Sequence, residues 1–306
     1  MTDLLIIGGG PAGLTAALYA LRSGKTARIV EKSSFGGQIA SSPKVENYPG
    51  VPAAPGAELA DKMLSQVLDL GCEIEIGEVT HVEAIEGGFA ARTAEDDCFE
   101  GAALILAPGV KHRRLGLSNE EALAGNGVCY CAVCDGDFYR GRNVVMVGGG
   151  NSALQESLLL ADVCAHLTVV QNLDFFTGEA PLAAALTRRE NVRVIFGAVV
   201  TALNEKDGAF CGCEIRKTAS GETESLPADG LFVSIGLEPN NGAFAALADL
   251  TDAGYFAADE KCLTKTPGVF VAGDCRQKSV RQATTAVSDG AAAALAALRY
   301  LRTKEQ

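Results

Sequence analysis

Cys131-Ala-Val-Cys134-Asp135-Gly136 stands a dozen residues before the glycine-rich turn Gly148-Gly149-Gly150-Asn151-Ser152-Ala153, and the chain opens on another, Gly8-Gly9-Gly10-Pro11-Ala12-Gly13. Two thiols spaced CxxC can cycle between dithiol and disulfide, because the turn between them keeps the sulfurs within bonding reach. Turns of the GxGxxG or GxGxxA pattern bring the backbone close to a pyrophosphate at a helix N-terminus. Together they point to a nucleotide-bound redox centre that passes electrons to a disulfide. Cys129 lies two residues before Cys131. With Cys131 and Cys134 it could begin an iron–sulfur or zinc site, although no fourth ligand is evident.

Each glycine turn needs a strand before it and a helix after it. Asp3 to Ile7 reads as a buried strand, Leu14 to Arg22 as a helix ended by Gly24, and Thr26 to Val30 as a second strand. That strand ends in Glu31, twenty-three positions after Gly8. An acid there suits a ribose diol. In the second unit Asn143 to Val147 is the strand, Leu154 to Asp162 the helix, and Leu167 to Val170 the next strand, ending at Gln171. Gln171 is again twenty-three positions after the first glycine, but the acid is missing. The run Gln171-Asn172-Leu173-Asp174-Phe175-Phe176-Thr177 also offers no arginine or lysine for a 2′-phosphate.

Between the units, Cys72 to Cys98 alternates polar and apolar residues as antiparallel strands do, with Gly87-Gly88 as the hairpin turn. Ala103 to Ala107 is a short buried strand. A second antiparallel run, Phe210 to Ile215, is expected to turn Cys211 and Cys213 to one side as structural cysteines. After Glu238-Pro239-Asn240 the chain returns to the first unit. There Val269 to Asp274 reads as a buried strand ending in a carboxylate, followed by a helix from about Gln282 aimed at a ligand. A nucleotide domain inserted at about 113–238 therefore splits the other into two pieces.

Composition agrees with two domains: 306 residues, 48% of them apolar, can bury two cores. A formal charge of −12 argues against nucleic-acid binding, which needs a basic face. Ten irregularly spaced cysteines give no staple pattern, which fits a reducing cytoplasm. Met1 to Ile7 has no basic segment or cleavage site and reads as a buried strand. The longest apolar helix candidate, Ala286 to Leu301, is broken by Ser288, Asp289 and Arg299, so no membrane segment is expected. His81, His112 and His166 show no triad or metal spacing.

Taken together, Gly36-Gly37-Gln38, Val45-Glu46-Asn47-Tyr48-Pro49-Gly50, Cys131-Ala-Val-Cys134-Asp135-Gly136, Pro267-Gly268-Val269-Phe270 with Ala272-Gly273-Asp274, and Arg281-Gln282-Ala283 resemble the low-molecular-weight thioredoxin reductases. The likeness covers nearly the whole chain. It implies an α/β protein of two Rossmann-like, three-layer ββα nucleotide-binding domains, the second inserted into the first. Residues 1–112 and 239–306 would bind FAD, and 113–238 would be the NAD(P)H-binding-like domain that carries the CxxC. A homodimer is implied too. By the resemblance Gly8, Gly10, Pro11, Ala12 and Gly13 would cradle the FAD pyrophosphate, Glu31 and Lys32 would hold the adenosine ribose, and Gly37, Gln38 and Asn47 would approach the flavin. Val79, Gly109, Gly273 and Asp274 would complete the cofactor site, with Arg281, Gln282 and Ala283 beside the isoalloxazine, where a helix start can stabilise negative charge. Cys131 and Cys134 would be the redox pair, passing electrons to thioredoxin or a thioredoxin-like protein. Asp135 resembles the family's proton donor, or could simply close the turn before Gly136.

Two departures from the family stand out. Pro108 replaces threonine in the Ala-Thr-Gly strand end. More consequentially, NADPH-type members carry His-Arg-Arg and a further arginine where this chain has Gln171, Asn172, Leu173 and Thr177. Each charged hydrogen bond to phosphate contributes roughly 1.5 to 3 kcal/mol, so NADPH is disfavoured as donor. The pattern resembles the pyridine-nucleotide-independent, ferredoxin-linked flavin thioredoxin reductases, and ferredoxin is the expected donor. Docking an acidic ferredoxin needs a basic patch, such as Lys111, Arg113 and Arg114, or Arg276, Lys278 and Arg281. NADH bound through Asn172 or Asp174, a flavin thiol oxidase, and a noncatalytic redox-sensing flavoprotein are the alternatives.

Overall fold

The computed structural model describes residues 1–304 apart from 41, 43, 44, 46 and 53. Glu46, in the motif around Asn47, lies outside the described residues. The chain divides into two compact units, one of residues 1–111 and 238–306, the other of 112–237.

The first unit opens with β1 (Thr2–Ile7), α1 (Pro11–Arg22), β2 (Ala27–Glu31), α2 (Gly56–Leu68) and β3 (Glu73–Ile76). It continues through the antiparallel strands β4 (Val79–Ile85), β5 (Gly88–Thr93) and β6 (Cys98–Leu106). β7 (Val110–His112) leads into the second unit. That unit holds α3 (Glu120–Leu123), β8 (Val128–Cys129), α4 (Ala132–Asp135), β9 (Asn143–Val147), α5 (Asn151–Val163), β10 (His166–Val170), α6 (Ala180–Thr187) and β11 (Val192–Ile195). An antiparallel trio follows, β12 (Ala198–Lys206), β13 (Ala209–Lys217) and β14 (Thr223–Pro227), and then β15 (Gly230–Val233) and β16 (Leu237–Pro239). The chain finishes in the first unit with β17 (Val269–Val271) and α7 (Ala283–Lys304).

The near-continuous apolar runs of β1 and β9 follow from burial on both faces. In the first unit Leu4, Ile6, Ile29 and Ile105 face α1 and α7, while Leu5, Ile7, Val30 and Leu106 meet Val82, Phe89 and Ala91 of the antiparallel layer. The second unit repeats the arrangement. Val144, Met146 and Val169 meet Leu154 and Leu160 of α5, and Val145, Val147 and Val170 meet Leu203, Phe210 and Ile215. Each parallel sheet, β3-β2-β1-β6 with β17 and β11-β10-β9-β15-β8, thus lies between helices and antiparallel strands. This is the three-layer ββα fold.

Local differences have local causes. Gly88 belongs to β5, not to the turn: it pairs with Ile85, and a Cβ there would lie 2.2 Å from the Gly101 carbonyl oxygen. Cys211 and Cys213 do not share a side. Cys211 is exposed and Cys213 fully buried, because the β12–β13 register shifts between Asn204 and Glu205 and Cys211 drops out of the pairing. A bulge residue inverts the alternation that period-two reasoning assumes.

Candidate active site

The first glycine turn is built by close approach. Gly8 has φ +109°, and a Cβ on it would lie 2.2 Å from the Ala107 carbonyl oxygen and 3.3 Å from the Pro108 nitrogen. That nitrogen carries no hydrogen, so Pro108 offers the turn no backbone donor. Gly10 caps α1, Pro11 supplies its first turn, and a Cβ on Gly13 would lie 1.9 Å from the Gly8 carbonyl oxygen. Glu31, at the end of β2, accepts from the Gly9 N–H at 2.7 Å and from the Ser33 N–H at 3.1 Å. The helix start and Glu31 therefore lie side by side, with Gly37 packed close: its Cβ would come within 3.3 Å of Gly10 Cα.

The return strand brings the remaining groups to the same edge. A Cβ on Gly273 would lie 3.0 Å from Ala12 Cβ, and the Gly273 N–H donates to Asp289 at 3.0 Å. Asp289 also takes Arg276 at 2.8 Å and Lys278 at 2.9 Å, which hold its carboxyl below the usual carboxylate range against the opposing effect of burial. This buried clamp fixes the loop that carries Asp274. Arg281 donates to the Asp274 carbonyl at 3.2 Å and lies over the Tyr255 ring at 4.2 Å. Gln38 donates to the Val110 carbonyl at 2.6 Å, and Asn47 to Gln282 at 3.1 Å, just ahead of Ala283 at the start of α7. Gly109 takes φ +70° with open space where a Cβ would project. Lys32 is exposed after β2, and Val79 begins β4, packed on the Leu5–Val30–Leu106 cluster.

Asp274 Oδ1 is buried with no hydrogen-bond partner among the described residues, and burial raises the carboxyl's pKa. An orphaned buried oxygen directly after Gly273, a positive-φ glycine that approaches Ala12 at the start of α1, fits a polar dinucleotide such as FAD. The second basic patch is not a surface patch: Arg276 is 3% exposed and Lys278 is turned onto Asp289. These charges are spent on the clamp, which sequence order alone could not reveal.

In the second unit Cys131 and Cys134 form a disulfide across the one-turn helix α4. Asp135 ends that helix, and burial raises its pKa, which suits a carboxyl that holds a proton. The Cys129 thiol lies 3.3 Å from the Tyr139 hydroxyl and also faces Asp135. Burial pushes that thiol up to about 12, so Cys129 stays protonated and inert. Among the described residues no His, Cys, Asp or Glu group is arranged to hold a metal.

The second glycine turn keeps its backbone. Gly148 has φ +135°, and Gly150 caps α5. Beside it, Gln171 is 4% exposed and donates to the Phe175 carbonyl at 3.1 Å. The Thr177 and Gly178 N–H groups donate to the Gly149 carbonyl at 2.9 and 3.0 Å. Asn151, the first residue of α5, accepts from the Glu179 N–H at 2.7 Å and donates to the Glu179 carboxylate at 3.2 Å. The side chains meeting this turn are thus neutral or anionic.

A split dinucleotide fold with a disulfide-bearing Rossmann unit inserted in it defines a two-domain disulfide oxidoreductase. The family model described as pyridine nucleotide-disulphide oxidoreductase matches residues 2–290. The chain is 38% identical to the thioredoxin reductase of Listeria monocytogenes, over 98% of this chain and 93% of that one. It is 39% identical to a 34.2 kDa protein in the rubredoxin operon of Clostridium pasteurianum, over 99% and 98% of the two chains. The crystal structure of thioredoxin reductase from Streptococcus pyogenes matches with a TM-score of 0.83 at 37% identity, covering 99% of both chains. The chain belongs to the thioredoxin reductase family, as a flavin-containing thioredoxin-disulfide reductase.

Neither Asp289 nor Glu156 belongs to a motif of the sequence, although both leave a trace in it. Each is an acid on the buried stripe of its helix: Asp289 between Ala286 and Ala293, Glu156 between Ala153 and Leu160. A charge at core spacing is a request for a partner. Among the described residues no helix is long and apolar enough to cross a membrane.

Proposed function

We propose that this reductase takes its electrons from a ferredoxin-type carrier, holds FAD in the first unit, and delivers two electrons through Cys131 and Cys134 to a thioredoxin-type disulfide. FAD, when bound, supplies a two-electron store that can be filled one electron at a time. The residues proposed to hold it are Gly8, Gly10, Pro11, Ala12, Gly13, Glu31, Lys32, Gly37, Gln38, Asn47, Val79, Gly109, Gly273, Asp274, Arg281, Gln282 and Ala283. Reduction breaks the Cys131–Cys134 bond and adds two electrons and two protons, one of the protons from Asp135. One of the two thiols gives up its proton and attacks the partner's disulfide as a thiolate, forming a mixed disulfide and releasing a partner thiolate that takes up a proton. The other sulfur resolves it, restoring the internal disulfide and leaving the partner fully reduced. We assign residues 1–112 and 239–306 as the FAD-binding domain and 113–238 as the dithiol domain, in a cytoplasmic homodimer.

The single observation behind the donor is the second turn, where the side chains hydrogen-bonded around the helix start, Gln171, Thr177, Asn151 and Glu179, include no cation to meet a phosphate. Within the second unit, exposed Arg113 and Arg114, the latter paired with Glu121, are the basic side chains proposed to meet an acidic carrier. Because the GxGxxA backbone is retained, NADH is the second reading. Anaerobic stopped-flow mixing with NADPH, NADH and photoreduced ferredoxin separates them. Ferredoxin is expected to bleach the flavin rapidly, and fast bleaching by either nucleotide would overturn the assignment.

A further inference from the structure

Glu156 is the one acid on the buried stripe of α5, and its surroundings tie it to the redox segment. Its carboxylate accepts the Ala132 N–H at 3.2 Å, the amide that directly follows Cys131. The Ser234 hydroxyl also donates to it. Ser234 in turn sits at the end of β15, its N–H on the Val147 carbonyl at 2.9 Å and its own carbonyl against Gly148. The carboxyl thus joins the CxxC helix to the second glycine turn, within a single unit.

We infer that Glu156 is a positioning residue for the Cys131–Cys134 couple, its carboxyl holding the Ala132 amide that directly follows the first of the two cysteines. The inference rests on these two cysteines being the redox pair.

The electrostatics follow from the neighbours. Burial raises the Glu156 pKa to about 7, opposed by the Ala132 N–H and the Ser234 hydroxyl. The elements packed on α5 carry Asp135 on α4, Asp137 and Tyr139 on the turn that follows, and His166 at the start of β10. Asp135 and Tyr139 are engaged with Cys129, Asp137 pairs with Arg140, and His166 is exposed. On α5 itself Asp162 pairs with Arg189. No cation among the described residues reaches Glu156, so its ionisation places an unpaired negative charge at the Ala132 amide, one residue from Cys131. That charge disfavours a thiolate. When Glu156 is neutral, a thiolate is easier to form, so the reactivity of the pair is tuned across neutral pH. Because two electrons and two protons enter when the disulfide opens, a carboxyl that titrates here also couples proton uptake to reduction.

The test is the pH dependence of alkylation. The purified holoenzyme is reduced with dithiothreitol, freed of reductant, and treated with iodoacetamide from about pH 5.5 to about pH 9, with Cys131 and Cys134 read separately by mass spectrometry. In the parent chain the rate should show an extra inflection around the Glu156 value. Glu156→Gln keeps an acceptor for Ala132 but cannot ionise. It should lose that inflection and react roughly tenfold faster above neutral pH. Ser234→Ala removes a donor that favours the charged form, so its inflection should move to higher pH. A Glu156→Gln profile that superimposes on the parent, or an unmoved inflection in Ser234→Ala, would overturn the inference. Loss of thioredoxin reduction in Cys134→Ser checks the redox pair separately, so failure of that assignment is distinguishable.

Discussion

At Gly9 the backbone N–H meets the Glu31 carboxylate at 2.7 Å, whereas at the corresponding Gly149 the strand-end residue is Gln171, whose amide turns to the Phe175 carbonyl. The returning segment is otherwise alike in both units. Gly36 donates to the Gly9 carbonyl at 2.8 Å, and Thr177 to the Gly149 carbonyl at 2.9 Å. Glycine pattern and backbone hydrogen bonding therefore set the turn, while the residues beside it set which ligand it accepts. The first unit adds the buried Asp289 clamp and an unpaired buried carboxylate oxygen on Asp274.

The clamp is the sharpest place to break this comparison. Asp289→Asn leaves Arg276 and Lys278 buried without an anion and should cost about 3 to 5 kcal/mol in denaturant unfolding. No counterpart is expected in the second unit. Because Asp289 has a lowered pKa in the folded chain, its stabilisation is present above the unfolded value of about 4 and is lost as pH falls through the lowered folded value. An unchanged acid limb in the variant would count against the clamp.

Gly13→Ala should cost about 3 kcal/mol and release flavin, since its Cβ would meet the Gly8 carbonyl oxygen. The equivalent Ala153 already carries a methyl, and Ala153→Gly should cost about 1 kcal/mol or less. Flavin absorbance and melting temperature read both. Asn172→Arg, Leu173→Arg and Thr177→Arg combined should tighten NADPH binding about a hundredfold by calorimetry, if missing cations are what separate the two turns. Finally, Glu31→Gln keeps an acceptor for Gly9 but loses charge, and should weaken FAD binding about tenfold. Equal flavin affinity in that variant would remove Glu31 from the account.

Much of the architecture was readable because apolar runs, glycine turns and the acid at Glu31 act over a few residues, where local sterics decide. The helix starts were read three residues late, at Leu14 and Leu154, since Pro11 and Asn151 belong to the first turns. Cys211 was misjudged because a bulge depends on the partner strand, not on its own sequence. Arg276 and Lys278 looked like surface charge because their partner, Asp289, is contributed by a helix that packs back from further along the chain.

The amino-acid sequence by itself determined that this chain holds two nucleotide folds and a vicinal thiol pair, and that the second fold lacks cations for a phosphate. Those properties are written in neighbouring residues, whose spacing fixes turns and faces. Only the tertiary structure decided which charges are consumed internally, and that Glu156 reaches the amide beside Cys131. Such pairings join residues far apart in the chain, and burial alone makes them strong.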